Sequence, residues 1–206
     1  MIITVTPNPS VDRTLEIDEL THGAVLRATT SHVDPGGKGV NVARAVAANE
    51  HAAIALFPSG GAEGDHLASL LDAAGVHVTA VPISGSVRSN VALVEPDGTT
   101  TKINEQGPTL STDEIKQLVE TTAQAAETHG ARWVALCGSL PPGAPDELYA
   151  QIVERLGALD VRVAVDTSGP PLGRAVDAGA GLVKPNREEL EEVTGRTLST
   201  LGDALE

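Results

Sequence analysis

Short aliphatic and β-branched runs recur along this chain, and most are separated by stretches of helical character. The runs are 2–6 (IITVT), 52–57 (AAIALF), 76–81 (VHVTAV), 132–137 (RWVALC), 161–166 (VRVAVD) and 181–184 (GLVK). The helical stretches open at Gly36-Gly37-Lys38-Gly39 and run to about Asn49, then cover 63–74 with Gly75 as C-terminal cap, then Ser111 to about His129. Others cover 146–157, a short stretch after Pro170-Pro171, and a start at Asn186. Ser111 with Glu114 forms a capping-box signature. Strands alternating with helices predict a mostly parallel, doubly wound α/β sheet with helices on both faces. Two stretches break the rhythm. Residues 13–33 carry strands near Thr14–Ile17 and over 24–33; residues 88–104 read as a hairpin, 89–94 and 99–104, about the turn Glu95-Pro96-Asp97-Gly98. These segments predict a small separate sheet, a β lid. Residues 199–206 read as the start of a helix.

With 206 residues the chain fits one domain. Its aromatics are Phe57, Trp133 and Tyr149 alone, so Val, Leu, Ile and Ala must build the core. A formal charge of −14 excludes the basic face of a nucleic-acid binder. An anionic ligand would have to be held by a few local cations and backbone N–H groups. The single cysteine, Cys137, allows no disulfide within the chain. No run of 18 apolar residues or leader-like N-terminus is present, so the expectation is a cytoplasmic protein without membrane contact.

Four stretches could carry chemistry. Gly36-Gly37-Lys38-Gly39 lets backbone approach a ligand, opens a helix whose free N–H groups suit an anion, and adds a mobile charge; the same glycines serve equally as a turn. Asp12 follows the first strand, at the strand end where open α/β sheets bind ligands, and could accept sugar hydroxyls or simply brace a turn. Ser139, in Cys137-Gly138-Ser139-Leu140-Pro141-Pro142-Gly143, would project into the same crevice, with Cys137 a buried small hydrophobe. Asn186 and Glu189 have the spacing of a helix cap and its partner, which is compatible with holding a hydrated Mg²⁺. The histidines show no metal-ligand spacing.

Taken in order, TPNPSVD, GGKGVNVARA, RSN, KINEQGP, CGSLPPG, VDTSG and KPNREELEEVTG closely resemble the ribokinase/PfkB carbohydrate kinase family, over residues 2–195. The nearest branch contains 1-phosphofructokinases and tagatose-6-phosphate kinases. The resemblance implies a ribokinase-like fold with a β lid, ATP and Mg²⁺ as cofactors, and phosphorylation of D-fructose 1-phosphate. Tagatose 6-phosphate and fructose 6-phosphate are the alternative substrates. It implies that Asp12, Gly37 and Asn41 contact sugar hydroxyls, that Lys38, Arg88 and Ser139 hold the substrate phosphate, and that Lys184, Asn186 and Glu189 face nucleotide phosphates and Mg²⁺. Asn104 and Glu105 would lie near the sugar. It also allows a homodimer through the lid. The family's G-A-G-D signature, which carries the catalytic base, is absent from the seventeen residues after Glu189. The expectation is therefore a C-terminally truncated chain, inactive alone, that retains weak sugar-phosphate binding, with its base beyond Glu206.

Overall fold

The computed structural model describes residues 1–204. In chain order its elements are β1 (Ile2–Val5), β2 (Ser10–Glu16), β3 (Thr30–Gly36), α1 (Lys38–Ala48), β4 (Ala53–Ser59), α2 (Gly61–Ala73), β5 (His77–Pro82), β6 (Arg88–Val94) and β7 (Thr100–Asn104). There follow α3 (Thr112–Thr128), β8 (Trp133–Cys137), α4 (Leu148–Leu156), β9 (Arg162–Asp166), α5 (Pro170–Asp177), β10 (Leu182–Val183) and α6 (Arg187–Thr194).

Six strands form a parallel sheet in the order β10-β9-β8-β1-β4-β5. β1 lies inside it, with Ile3 level with Ile54 on one side and Val134 on the other. The strands read as apolar runs because helices cover both faces. Alternate residues therefore enter different cores. Ile3, Ile54, Leu56, Val134 and Leu136 pack with Leu118, Tyr149 and Ile152 of α3 and α4. Ala53, Ala55 and Phe57 pack with Val40, Ala43, Leu67 and Leu71 of α1 and α2. Each fully buried Leu or Ile contributes roughly 1.5–3 kcal/mol relative to exposure.

Helix boundaries follow local chemistry. Ser111 Oγ accepts the Glu114 N–H at 3.3 Å, and Glu114 Oε2 accepts the Ser111 N–H at 2.7 Å, a complete capping box for α3. Asn186 and Glu189 do the same for α6, each bond being 2.8 Å. After α2, Gly75 takes a left-handed φ of 72° and turns the chain toward β5.

The remaining strands form a second sheet, β3-β2-β6-β7, in which β2 and β6 are parallel and the outer pairs antiparallel. Its boundaries differ from the sequence reading in two places. The first strand begins at Ser10, so Asp12 lies within β2 and not at the end of β1. The second begins only at Thr30, because its register starts with Glu16 opposite Thr30; residues 24–29 have no strand partner, and Val25 is 84% exposed. At the other end of the chain, the strand read at 181–184 shortens to Leu182–Val183. Residues 201–204 form turns, and the last two residues of the 199–206 reading lie outside the described residues.

Candidate functional site

The chain passes between the two sheets four times, at 6–9, 36–37, 83–87 and 105–111. Beside these crossings lies a crevice of about 310 Å³, lined by Asp12, Gly37, Lys38, Asn41, Arg88 and Ser139. The six candidates read as substrate contacts thus meet in one place.

The crossing at 36–37 explains its glycines. Gly37 has φ 114°, and a Cβ there would meet Thr6 Cγ2 at 2.7 Å; a Cβ on Gly36 would collide with Asp12 and Ser10. The backbone therefore closes tightly on Asp12 and delivers the start of α1, which has no side-chain cap, to the crevice. The uncapped N–H groups and the positive end of the helix dipole favour an anion there.

Asp12 is oriented by its neighbours. Its Oδ1 accepts the Ser10 hydroxyl at 2.7 Å and Asn90 Nδ2 at 2.9 Å, while Oδ2 has no hydrogen-bond partner among the described residues. That leaves one carboxylate oxygen to accept ligand hydroxyls. Arg88 is anchored by backbone carbonyls: Nη1 donates to Glu105 O at 2.8 Å and Nη2 to Asn8 O at 3.2 Å. Burial lowers its pKa, and the Asp12 and Glu105 carboxylates oppose that shift. Among the described residues Asn8 Oδ1, Arg88 Nε and Asn90 Oδ1 are buried without partners, so unsatisfied polar groups gather along this wall. Such groups can be satisfied by ordered water or by a bound polar ligand.

Lys38 does not stand free in the crevice. Its Nζ donates to Asp166 Oδ1 at 3.0 Å, and Lys184 Nζ lies 3.6 Å from Asp166 Oδ2. Asp166 ends β9, beneath the start of α1, so one carboxylate draws together a lysine from each side. Asn186 and Glu189 do not line the crevice. Their side chains serve the α6 capping box, and Glu189 Oε1 alone of these carboxylate oxygens has no partner among the described residues. Asn186 borders a separate hollow of about 360 Å³ with Leu190 and Leu198. Among the described residues no group of three His, Cys, Asp or Glu could hold a metal.

Asn104 borders a hollow that also reaches Asp12 and Asn90. Glu105 is engaged structurally, its Oε2 accepting the Ser89 N–H at 3.0 Å. Burial, then Asp166, pushes the Cys137 thiol up to about 12, which makes it a packing residue and not a nucleophile. A larger hollow of about 690 Å³ lies against Arg88, but it brings Glu63 and Glu105 to its wall and suits an anion less well.

Sequence reasoning passed over Ser10, Asn90 and Asp166 as site residues. Asp166 carried a readable signal, a carboxylate at the C-terminal end of an apolar strand. Asn90 lies in the RSN motif, but its contact with Asp12 was not readable, because it depends on β6 pairing with β2 across 78 residues.

The family description "pfkB family carbohydrate kinase" matches residues 5–206. A 1-phosphofructokinase of Bacillus subtilis is 34% identical over 205 residues, which cover 100% of this chain and 66% of that protein. The ATP-dependent 6-phosphofructokinase isozyme 2 of Escherichia coli is 37% identical over 204 residues, 98% of this chain and 65% of that protein. The crystal structure of Escherichia coli phosphofructokinase-2 in complex with fructose-6-phosphate superposes with a TM-score of 0.90 at 34% identity, covering 99% of this chain and 67% of that one. The chain thus spans about two-thirds of the length of the curated relatives it matches.

Proposed function

The chain belongs to the pfkB family of carbohydrate kinases, and from that premise we propose that its crevice serves the ATP-dependent phosphorylation of D-fructose 1-phosphate to the 1,6-bisphosphate. The observation that carries this reading is the convergence of Asp12, Gly37, Lys38, Asn41, Arg88 and Ser139 on one crevice. In this reading Asp12 Oδ2 and Asn41 accept and donate to sugar hydroxyls, and Arg88 with Ser139 holds the phosphate already on the sugar. Lys38, freed from Asp166, joins them at that phosphate, and the second sheet acts as a lid that excludes water.

Lys184 and Glu189 fit the nucleotide side. Glu189 offers one free carboxylate oxygen, enough for a hydrated Mg²⁺, which takes few protein ligands. When bound, Mg²⁺ neutralises phosphate charge; orientation remains the task of the chain's own residues. In this reading Asp12 uses Oδ1 for Ser10 and Asn90 and Oδ2 for a bound sugar hydroxyl, and Asp166 is paired with Lys38 and Lys184. Neither is poised to take a proton from the attacking hydroxyl, so these residues bind and orient substrate without completing the transfer. The polar lid sheet, with Ile103 59% exposed on it, would also form the contact of a homodimer, to be read by sedimentation.

The test is calorimetric titration of the chain with fructose 1-phosphate, fructose 6-phosphate and tagatose 6-phosphate, alongside a coupled assay for ADP. The expected result is tightest binding of fructose 1-phosphate, lost in Arg88→Ala, with ADP formation at background. Binding of none of the three, or binding indifferent to Arg88→Ala, would sink the reading. Turnover would place the base among these residues. Fructose 6-phosphate is the second reading, favoured by the Escherichia coli relative and its complex; tighter binding of that sugar would select it.

A further inference from the structure

Behind Ser139 the structure carries an arrangement that packing alone does not require. Tyr149 of α4 is fully buried, yet its hydroxyl donates to Gly138 O at 2.9 Å. Thr167, 2% exposed and just past β9, donates its hydroxyl to the same oxygen at 2.9 Å. The Gly138 N–H in turn donates to Asp166 O at 2.9 Å. A carbonyl oxygen has two lone pairs, and both are filled here by side chains from separate elements. Burial raises the Tyr149 pKa well above the usual phenol value, so this group remains a proton donor.

The Gly138–Ser139 peptide is planar and trans, so its N–H points opposite to its carbonyl. With the carbonyl drawn into the core, the Ser139 N–H faces the other way. Ser139 lines both the 310 Å³ crevice and an adjoining hollow beside Pro141 and Pro142. Neither its N–H nor its hydroxyl has a partner among the described residues. Gly138 itself sits at φ 101°, a conformation open to glycine and able to rotate the following peptide at little steric cost. Rotation would turn a carbonyl dipole toward the anion that Arg88 attracts.

We propose that Tyr149 and Thr167 are positioning residues that lock the Gly138–Ser139 peptide with its N–H, not its carbonyl, toward the substrate phosphate. The proposal rests on the reading of Arg88 and Ser139 as the phosphate end of the crevice. It makes anion preference a property of two core hydroxyls that never touch the ligand.

The experiment titrates the ¹⁵N-labelled full chain with fructose 1-phosphate and follows the Ser139 amide, with affinities from calorimetry. Tyr149→Phe and Thr167→Val each remove one hydroxyl and keep most of the side chain's bulk. Each is expected to weaken binding about fivefold, and the pair about 25-fold, the equivalent of roughly one net hydrogen bond apiece. In the unaltered chain the Ser139 amide moves downfield at saturation; in the variants that bound-state shift shrinks. A purely structural role would weaken binding while leaving the saturated shift unchanged, and that result overturns the proposal. So does affinity within twofold of the parent in both single variants, provided Arg88→Ala still weakens binding. If Arg88→Ala has no effect, or the unaltered chain does not bind, the reading of the crevice fails and the lock with it. Should the double variant not fold, the two single variants carry the same readouts.

Discussion

In the central sheet β4 runs Ala53–Ser59 with every residue but the last buried; in the second sheet β7, Thr100–Asn104, has none buried. β4 feeds two cores by alternation, whereas β2 and β6 spend one face on Ser10, Asp12, Arg88 and Asn90. The difference shows a division of labour in one chain. Parallel strands covered on both faces supply stability, and a sheet with a polar face leaves the side chains proposed as ligand contacts unburied.

The largest expected contrast is in stability. Leu136→Ala, at a fully buried position, should cost about 2–5 kcal/mol in urea unfolding, and Ile103→Ala, at a 59% exposed one, less than about 0.5 kcal/mol. Comparable losses would break the comparison. Next comes the reverse contrast. Asp12→Ala should cost about 1.5–3 kcal/mol in fructose 1-phosphate affinity, since a charged acceptor is lost, and leave the unfolding midpoint near the parent's. A variant that unfolds early but binds normally would reverse the assignment of roles.

Glu114 sharpens the boundary between the sheets. Its Oε1 accepts the Ser84 N–H and hydroxyl on the crossing toward β6, while Oε2 accepts the Ser111 N–H at the start of α3. The Ser111 and then Ser84 amides hold its pKa at about 2, down from 4.5. A depressed carboxylate stabilises the fold above its unfolded pKa, and that contribution is lost as pH falls through about 2. Because the group is exposed, Glu114→Gln should cost only about 1 kcal/mol at neutral pH. The gap between parent and variant should close in acid; a gap unchanged down to pH 2 would assign the effect to shape. The smallest effect lies at the end of α1. Glu50 is the one non-glycine residue with positive φ, 60°, among the described residues, so Glu50→Gly should raise stability by about 0.5–1 kcal/mol in the same urea assay.

Much of the central sheet was legible because apolar runs and capping boxes are local. Ser111 with Glu114 and Asn186 with Glu189 announce their helices in four residues. The boundaries of the second sheet were not, since nothing near Thr30 says that Glu16 ends its register. The site was legible as a set of residues and less so as a set of contacts. The motif around Lys38 reads as a candidate anion-binding loop, but its bond to Asp166 joins residues 128 positions apart. Asp12 was visible as a carboxylate, while its strand and its partner Asn90 depended on pairing that a one-dimensional pattern does not contain.

The parallel seam between β2 and β6 bears on the order in which the molecule assembles. Ser10 aligns with Arg88, and between them the chain makes β3, α1, β4, α2 and β5. Each half of the second sheet is a two-stranded piece, marginal in water by itself, and the seam must close a long loop before it gains anything. The central strands therefore act as the template on which the seam is held together, and the crevice face forms only after they dock. Pulsed hydrogen exchange during refolding should protect the amides of β1 and β4 before those of β2 and β6; simultaneous protection would refute that order. A crevice face completed last should also be the part of the molecule that opens first, which would put the residues proposed to recognise the sugar in its least cooperative region.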